Sequence, residues 1–338
     1  MSLQATGVVH DHLVPGVAGI GSSSARPEVI DAGSQSQIVV PGHDFIVNAD
    51  YQRVGHDLVL SENGREVVIR GYFDSEHPPT LVSGEGAVVA GDTAARLAGP
   101  MAPGQYAQAT APQAAPAVGR VETIEGQVTI QHPDGTRVAA TKDTAIQQGD
   151  VVQTAAGAKL GIVFVDKTTM ALGANARLVI DEMVFNPANS SGSSVFSLLQ
   201  GVFVVVTGEI AKQNHDAVHI NTPVGSIGIR GTEFAVQIAD VGGQSTFTLI
   251  SGAIQLNTAV GATLLNVPGL SAISTGITAA PSAAFTLPAQ QINNLFGQAQ
   301  AVSNQLAPLS SDPGRVQQFQ QQQQQPCDIF WHCGSGCT

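Results

Sequence analysis

Residues 219–238 read HINTPVGSIGIRGTEFAVQI, two strand-like runs joined by a turn rich in Gly and Pro. AVHINT (217–222) alternates apolar and polar side chains, the period of a half-buried strand. Thr222-Pro223 ends it, because proline has no N–H to give to a ladder. Gly228, Gly231 and the small residues between them allow a tight backbone return. FAVQIAD follows as the next strand, with Phe234 its first core residue. Arg230 is the one Lys or Arg between Asn214 and Asp240. Its guanidinium carries five donors, enough to tie several carbonyls or one carboxylate. The expectation is an internal clamp on the turn, with Glu233 and Asp216 as candidate partners. The alternative is a ligand-binding arginine. Thr222, Pro223, Gly228, Arg230, Gly231, Thr232 and Phe234 form the candidate structural motif.

Strand signals continue on both sides. FAVQIAD and STFTLIS flank Gly242-Gly243, and TFTLI and AIQLN flank Ser251-Gly252, each reading as a turn. Upstream lie VFVVV (202–206), LVI (178–180) and KLGIVFVD (159–166), the last with Leu160, Ile162 and Phe164 on one face. VTIQ and TRVAA flank Asp134-Gly135, and LVLSE and REVVIRG flank Asn63-Gly64. Both pairs are hairpin signals, since a type I′ turn needs positive φ at its central residues. Many short strands spaced by Gly, Asn and Asp predict a mainly β protein, a sandwich or solenoid-like all-β domain. No βαβ alternation occurs, which excludes a nucleotide-binding parallel sheet.

The organisation that follows is a flexible N-terminal segment at 1–43, a small β-module at 44–92 and an Ala/Pro linker at 93–117. The main β-domain spans 118–260, a Ser/Thr/Ala/Pro linker 261–287, an amphipathic helix 288–308, and a Gln-rich, Cys-containing tail 309–338. In the helix, Ile292, Leu295, Phe296, Ala299, Val302 and Leu306 make one apolar stripe opposite Gln and Asn. An uncharged polar face suits a protein partner, self-association or docking onto the protein's own sheet, the last favoured on pattern.

Composition narrows the function. The chain has 338 residues, 12% of them charged, and a formal net charge of -12. Without a basic patch, nucleic acid is excluded as a partner. From Val241 to Ser311 no charged residue or His occurs. Asn266, Pro268, Gly269 and Pro281 interrupt the most apolar part, so a membrane span is not expected. No phosphate loop, no Gly-x-Ser-x-Gly elbow and no standard metal-ligand spacing is present, so no catalytic, cofactor or metal site is expected. His215 and His219 are four apart in strand-like sequence, which places His219 on an outward face. Asp181-Glu182 point to opposite faces of a strand and read as solvated charges. Cys327, Cys333 and Cys337 crowd the tail; a disulfide, within or between chains, leads over free thiols and metal binding.

Residues 118–260 resemble a FecR domain. VGRVETIEGQVTI is similar to its opening strand pair, IQQGDVVQTAAGAKLGIVFVDKTTMALGANARLVI to its core, and HINTPVGSIGIRGTEFAVQI to its most specific piece. FSLLQGVFVVVTGEIAKQNHDAVHINTPVGSIGIRGT further resembles the variant found in secreted or surface proteins of alphaproteobacteria. Residues 44–106 resemble the N-terminal module of large adhesin-like proteins. The main expectation is therefore a non-enzymatic, exported or cell-surface protein acting in binding, adhesion or self-assembly, leaving by type I secretion. The alternative is a sensory and regulatory module. The resemblance to the signalling members of the family implies anti-sigma regulation and a periplasmic domain.

Overall fold

The run Val202–Val206 is apolar at every position, and the fold supplies the reason. It closes the strand Ser191–Val206, which is covered on both faces. Phe203 and Val205 enter the main core with Leu172, Phe234, Val236 and Phe247. Val204 faces the other way, with Ala171 and Ala235, against Phe296, Ala299, Val302 and Leu306 of the helix Ala289–Ser310. A strand covered on both faces needs no polar alternation.

The computed structural model describes residues 27–42, 45–100, 116–239 and 244–310. The chain is mainly β, as its pattern predicts. Its largest element is a 15-stranded sheet, whose central path runs Arg177–Asn186, Ser191–Val206, Val218–Thr222, Gly225–Ile238, Ser245–Asn257 and Leu270–Ser274. Pairing along this path is antiparallel except between Ser191–Val206 and Val218–Thr222, which are parallel.

Ahead of it, a 4-stranded and a 3-stranded sheet and the helix Gly91–Ala98 enclose a second core around Tyr51, Leu58, Leu60, Ile69, Tyr72 and Leu81. Asn63 and Gly64 both take positive φ, 49° and 81°, and turn the hairpin between Asp57–Glu62 and Arg65–Arg70. Val151, Val179 and Leu199 of the large sheet belong to this second core, so the two modules share apolar packing.

Three expectations change, and one open choice is decided. The lead-in gives way at Glu28, where strands Glu28–Asp31 and Gln37–Val40 join the small sheets in parallel to Arg65–Arg70 and Thr80–Ser83. Ser251-Gly252 is no turn: Ser245–Asn257 is one 13-residue strand, bulged at Gly252. Residues 261–287 hold strands Ala262–Leu265, Leu270–Ser274 and Phe285–Thr286, all paired into the large sheet. Of the readings open for the helix stripe, docking on the protein's own sheet is the one found, and the stripe is not a partner surface: Phe296, Ala299, Val302 and Leu306 are buried there, with Ile292 and Leu295 partly covered beside them. Small residues on that sheet face, Ala171 and Ala235, leave room for the helix to approach. Cys327, Cys333 and Cys337 lie outside the described residues.

Candidate functional site

The motif of residues 222–234 folds around two bulges that meet. Register shifts between Arg230 and Phe234, opposite Leu249–Ala253. Gly231 takes φ 57° and Gly252 φ 82°. A Cβ on Gly252 would stand 2.2 Å from the Gly231 carbonyl oxygen, so only glycine fits. Paired bulges twist the strands and re-aim the side chains between them.

Thr232 ties this kink, and Arg230 does not. The Thr232 hydroxyl donates to the Ala253 carbonyl at 2.8 Å and accepts the Arg230 N–H at 3.2 Å. Thr232 N–H donates to Thr207 Oγ1 at 2.8 Å, and Thr207 N–H returns to the Thr232 carbonyl at 3.0 Å. Thr222 Oγ1 donates to the Gly225 carbonyl at 2.6 Å and closes the Thr-Pro turn. Pro223 offers its carbonyl to Val88 N–H at 2.9 Å, a backbone bond to the N-terminal module. Gly228 pairs with His219 on one side and Gln255 on the other. Phe234 is fully buried. The Arg230 side chain is exposed, and among the described residues no hydrogen bond or ion pair engages its guanidinium. Glu233 instead accepts from Gln300 of the long helix at 3.1 Å. The expected clamp is thus made by a threonine hydroxyl. Arg230 projects outward on the same face as Gly228 and Ser226, beyond the part that the N-terminal module covers at Ser197.

The clamp role belongs to a different arginine. Arg177, 7% exposed, donates from Nη1 to the carbonyls of Val47 and Ala49 at 3.1 and 3.0 Å. With the Gln153 amide oxygen turned toward it, Nε and Nη2 find an acceptor at 3.0 and 3.2 Å. Burial pulls its pKa down, partly offset by Tyr51 and Asp50. Beside it, Asp181 accepts from Ser197 Oγ at 2.7 Å and Thr93 Oγ1 at 3.1 Å, with Arg96 Nε at 3.6 Å. Burial raises its carboxyl above the usual range, opposed chiefly by the Ser197 hydrogen bond. Asp181 is therefore no solvated charge: the helix Gly91–Ala98 covers it. The strand register shifts between Ile180 and Glu182, so the two acids do not point to opposite faces as expected: Glu182 stands opposite Val195, on the face of Ser197 and Asp181, where it accepts from Ser193 and stays half-exposed. Between this helix and the sheet opens a cleft of about 320 Å³. Sequence pattern does not single out Arg177, and Asp181 reads in it as a solvated charge. The available signal was a cation inside an apolar strand, Ala176-Arg177-Leu178.

Among the described residues no group of three or more His, Cys, Asp or Glu could hold a metal ion, and no helix is long and apolar enough to cross a membrane.

Residues 150–255 match the family model of the FecR protein, so this chain carries a FecR domain. No curated protein sequence matches the chain. Two crystal structures of a candidate anti-sigma factor from Parabacteroides distasonis ATCC 8503, at 2.50 and 1.65 Å resolution, share 12% identity. They cover 42% of this chain and 62% of their own, with TM-scores of 0.33 and 0.34; likeness at that level carries no argument. The FecR match corrects the main functional expectation. An adhesin-like, self-assembling surface protein secreted by a type I route gives way to the alternative, because residues 150–255 match the FecR protein.

Proposed function

We propose that the chain is a FecR-type sensory and regulatory module that works in the periplasm by binding a protein partner, in the manner of an anti-sigma regulator, without catalysing a reaction. The observation that carries this reading is Arg230. A cation that supports no local structure stands exposed at the bulge of the FecR region. Cross-strand partners place His219, Gly228 and Gln255 in one row of its sheet face and Arg230 and Ala253 in the next. The nearest acid in register with His219 is Glu182, two strands away and bonded to Ser193. Arginine is enriched at protein interfaces, where its planar fork fixes geometry as well as charge. In a chain of net charge -12, an exposed guanidinium with no partner among the described residues can pair with an acidic group of a partner protein.

The test is transcription in the native cell with the gene deleted and then restored as wild type or Arg230→Ala. The proposal expects a defined set of sigma-dependent transcripts to change on deletion, wild type to restore them, and Arg230→Ala to fail at normal protein level. Fractionation should recover the protein from the periplasm. Unchanged transcription on deletion, or recovery only from the medium, would overturn it.

A further inference from the structure

One end of the junction between the two modules gathers ionisable side chains that the regulatory reading does not use. There the helix Gly91–Ala98 meets the turn His132–Thr136 and the strand Arg177–Asn186. Gln131 Nε2 donates to the Leu97 carbonyl at 3.3 Å. Pro100, just past the helix, lies against Gly135, whose Cβ would stand 3.2 Å from the proline ring. Asp150 and Asp181 are brought close by backbone pairing. Gly149 N–H donates to the Ile180 carbonyl at 2.7 Å, and Ile180 N–H to the Asp150 carbonyl at 3.0 Å. Both acids are buried, Asp150 completely. Asp150 Oδ1 lies 2.8 Å from His132 Nδ1, and its Oδ2 accepts the Gln147 N–H at 2.7 Å. Arg96 reaches from the helix to both acids' strands. Its Nε is buried 3.6 Å from Asp181 Oδ1, with no hydrogen bond among the described residues. Its Nη1 lies 3.3 Å from where a Cβ on Gly149 would stand.

The charges of this cluster do not balance. With both carboxyls ionised, Arg96 is the only permanent cation of the four groups, and one positive charge is missing. The neighbours do not supply it. Asp92 on the helix and Asp134 on the turn are exposed acids that add to the negative field. Arg137, on the strand after the turn, is exposed and bonded to Gln131 Oε1. Glu182 is half-exposed and accepts from Ser193. An uncompensated buried charge is costly. One proton cancels it, and imidazole is the side chain that changes charge near neutral pH. Burial raises the carboxyls of Asp150 and Asp181 as well, so they favour proton uptake in the same sense. We infer that the junction is a proton-linked latch: seating helix Gly91–Ala98 on the large sheet takes up a proton into the cluster His132, Asp150, Asp181 and Arg96, so the two modules hold together more tightly in mildly acidic than in neutral solution. The sign follows from linkage. The seated state binds the extra proton, so its advantage is present in acid and is lost as pH rises. Acidity then acts on the junction separately from any partner at Arg230.

The test is amide hydrogen exchange of the full chain at about pH 5.5 and about pH 7.5, on either side of imidazole titration. Each rate is compared with that of unfolded peptide at the same pH, so that only protection is read. Helix Gly91–Ala98 should gain about tenfold protection at the lower pH, the effect of one proton over about one pH unit, while strand Ser245–Asn257 keeps its own. Asp181→Asn removes one buried negative charge and balances the cluster without a proton. Its helix should be as protected in neutral solution as the wild-type helix is in acid. His132→Gln keeps a donor toward Asp150 but cannot become charged, so the gain in acid should shrink. Arg230→Ala should respond like wild type, which separates the latch from the partner-binding arginine. Equal protection at both pH values, a gain shared equally by Ser245–Asn257, or a gain unchanged in both Asp181→Asn and His132→Gln would overturn the inference.

Discussion

Arg177 and Arg230 stand on the same sheet and meet opposite fates. Arg177 is buried beneath the N-terminal module and spends its donors on Val47, Ala49 and Gln153. Arg230 lies exposed, and its turn is held by Thr232 and Thr207. Whether an arginine holds a fold together is set by what is laid over its strand. The motif around it does not say. A guanidinium is expensive to bury and persists there only when its donors are satisfied; one left in water is free to meet a partner.

Arg177→Ala should show the largest effect, a loss of about 3 kcal/mol in chemical denaturation. It strands the Val47 and Ala49 carbonyls in a buried interface and removes the packing of the side-chain stem. A loss as small as that of a surface change would erase the contrast between the two arginines. Gly252→Ala comes next, at about 2 kcal/mol, because φ 82° is strained for alanine and its Cβ meets the Gly231 carbonyl. It should also misplace Arg230, so partner binding falls along with stability.

Asp181→Asn tests the junction through pH. Burial raises the folded-state pKa of Asp181 above its ordinary 3.8. The folded chain then holds that proton more tightly than the unfolded chain. Stability therefore falls as pH rises from 3.8 through the raised value, and the full penalty is present above it. Asparagine cannot ionise and removes this contribution. The melting temperature of Asp181→Asn relative to wild type should rise from acid to neutral pH, while Asp150 and Asp166, also raised by burial, keep their own contributions in both proteins. A difference independent of pH would refute the buried-carboxyl assignment. The smallest stability effect belongs to Arg230→Ala, within about 0.5 kcal/mol of wild type, as for a surface position that makes no contacts.

Much of the fold is legible from local pattern. Asn63-Gly64 specifies its hairpin because only certain residues accept two positive φ values in a row. The alternation in KLGIVFVD and the unbroken VFVVV report how many faces of each strand are covered. The stripe from Ile292 to Leu306 reports a covered helix face, and its uncharged reverse side leaves open whether the cover is a partner or the chain itself. What sequence withholds is the identity of the covering layer. Gly252 reads as a turn residue because positive φ serves a bulge as well as a turn. Asp181 reads as solvated because the helix that buries it lies 88 residues away, at Thr93. Arg230 reads as a clamp because a lone cation in a turn motif is chemically able to be one, while a neighbouring threonine, bonded to the Ala253 carbonyl and the Arg230 N–H, does the tying.

The account stands or falls on Arg230→Glu, with melting temperature and sigma-dependent transcription measured on the same variant. The account predicts a melting temperature equal to wild type together with lost regulation, since the side chain contacts only a partner. A melting temperature lowered as far as in Arg177→Ala would contradict it and return Arg230 to the interior of the fold.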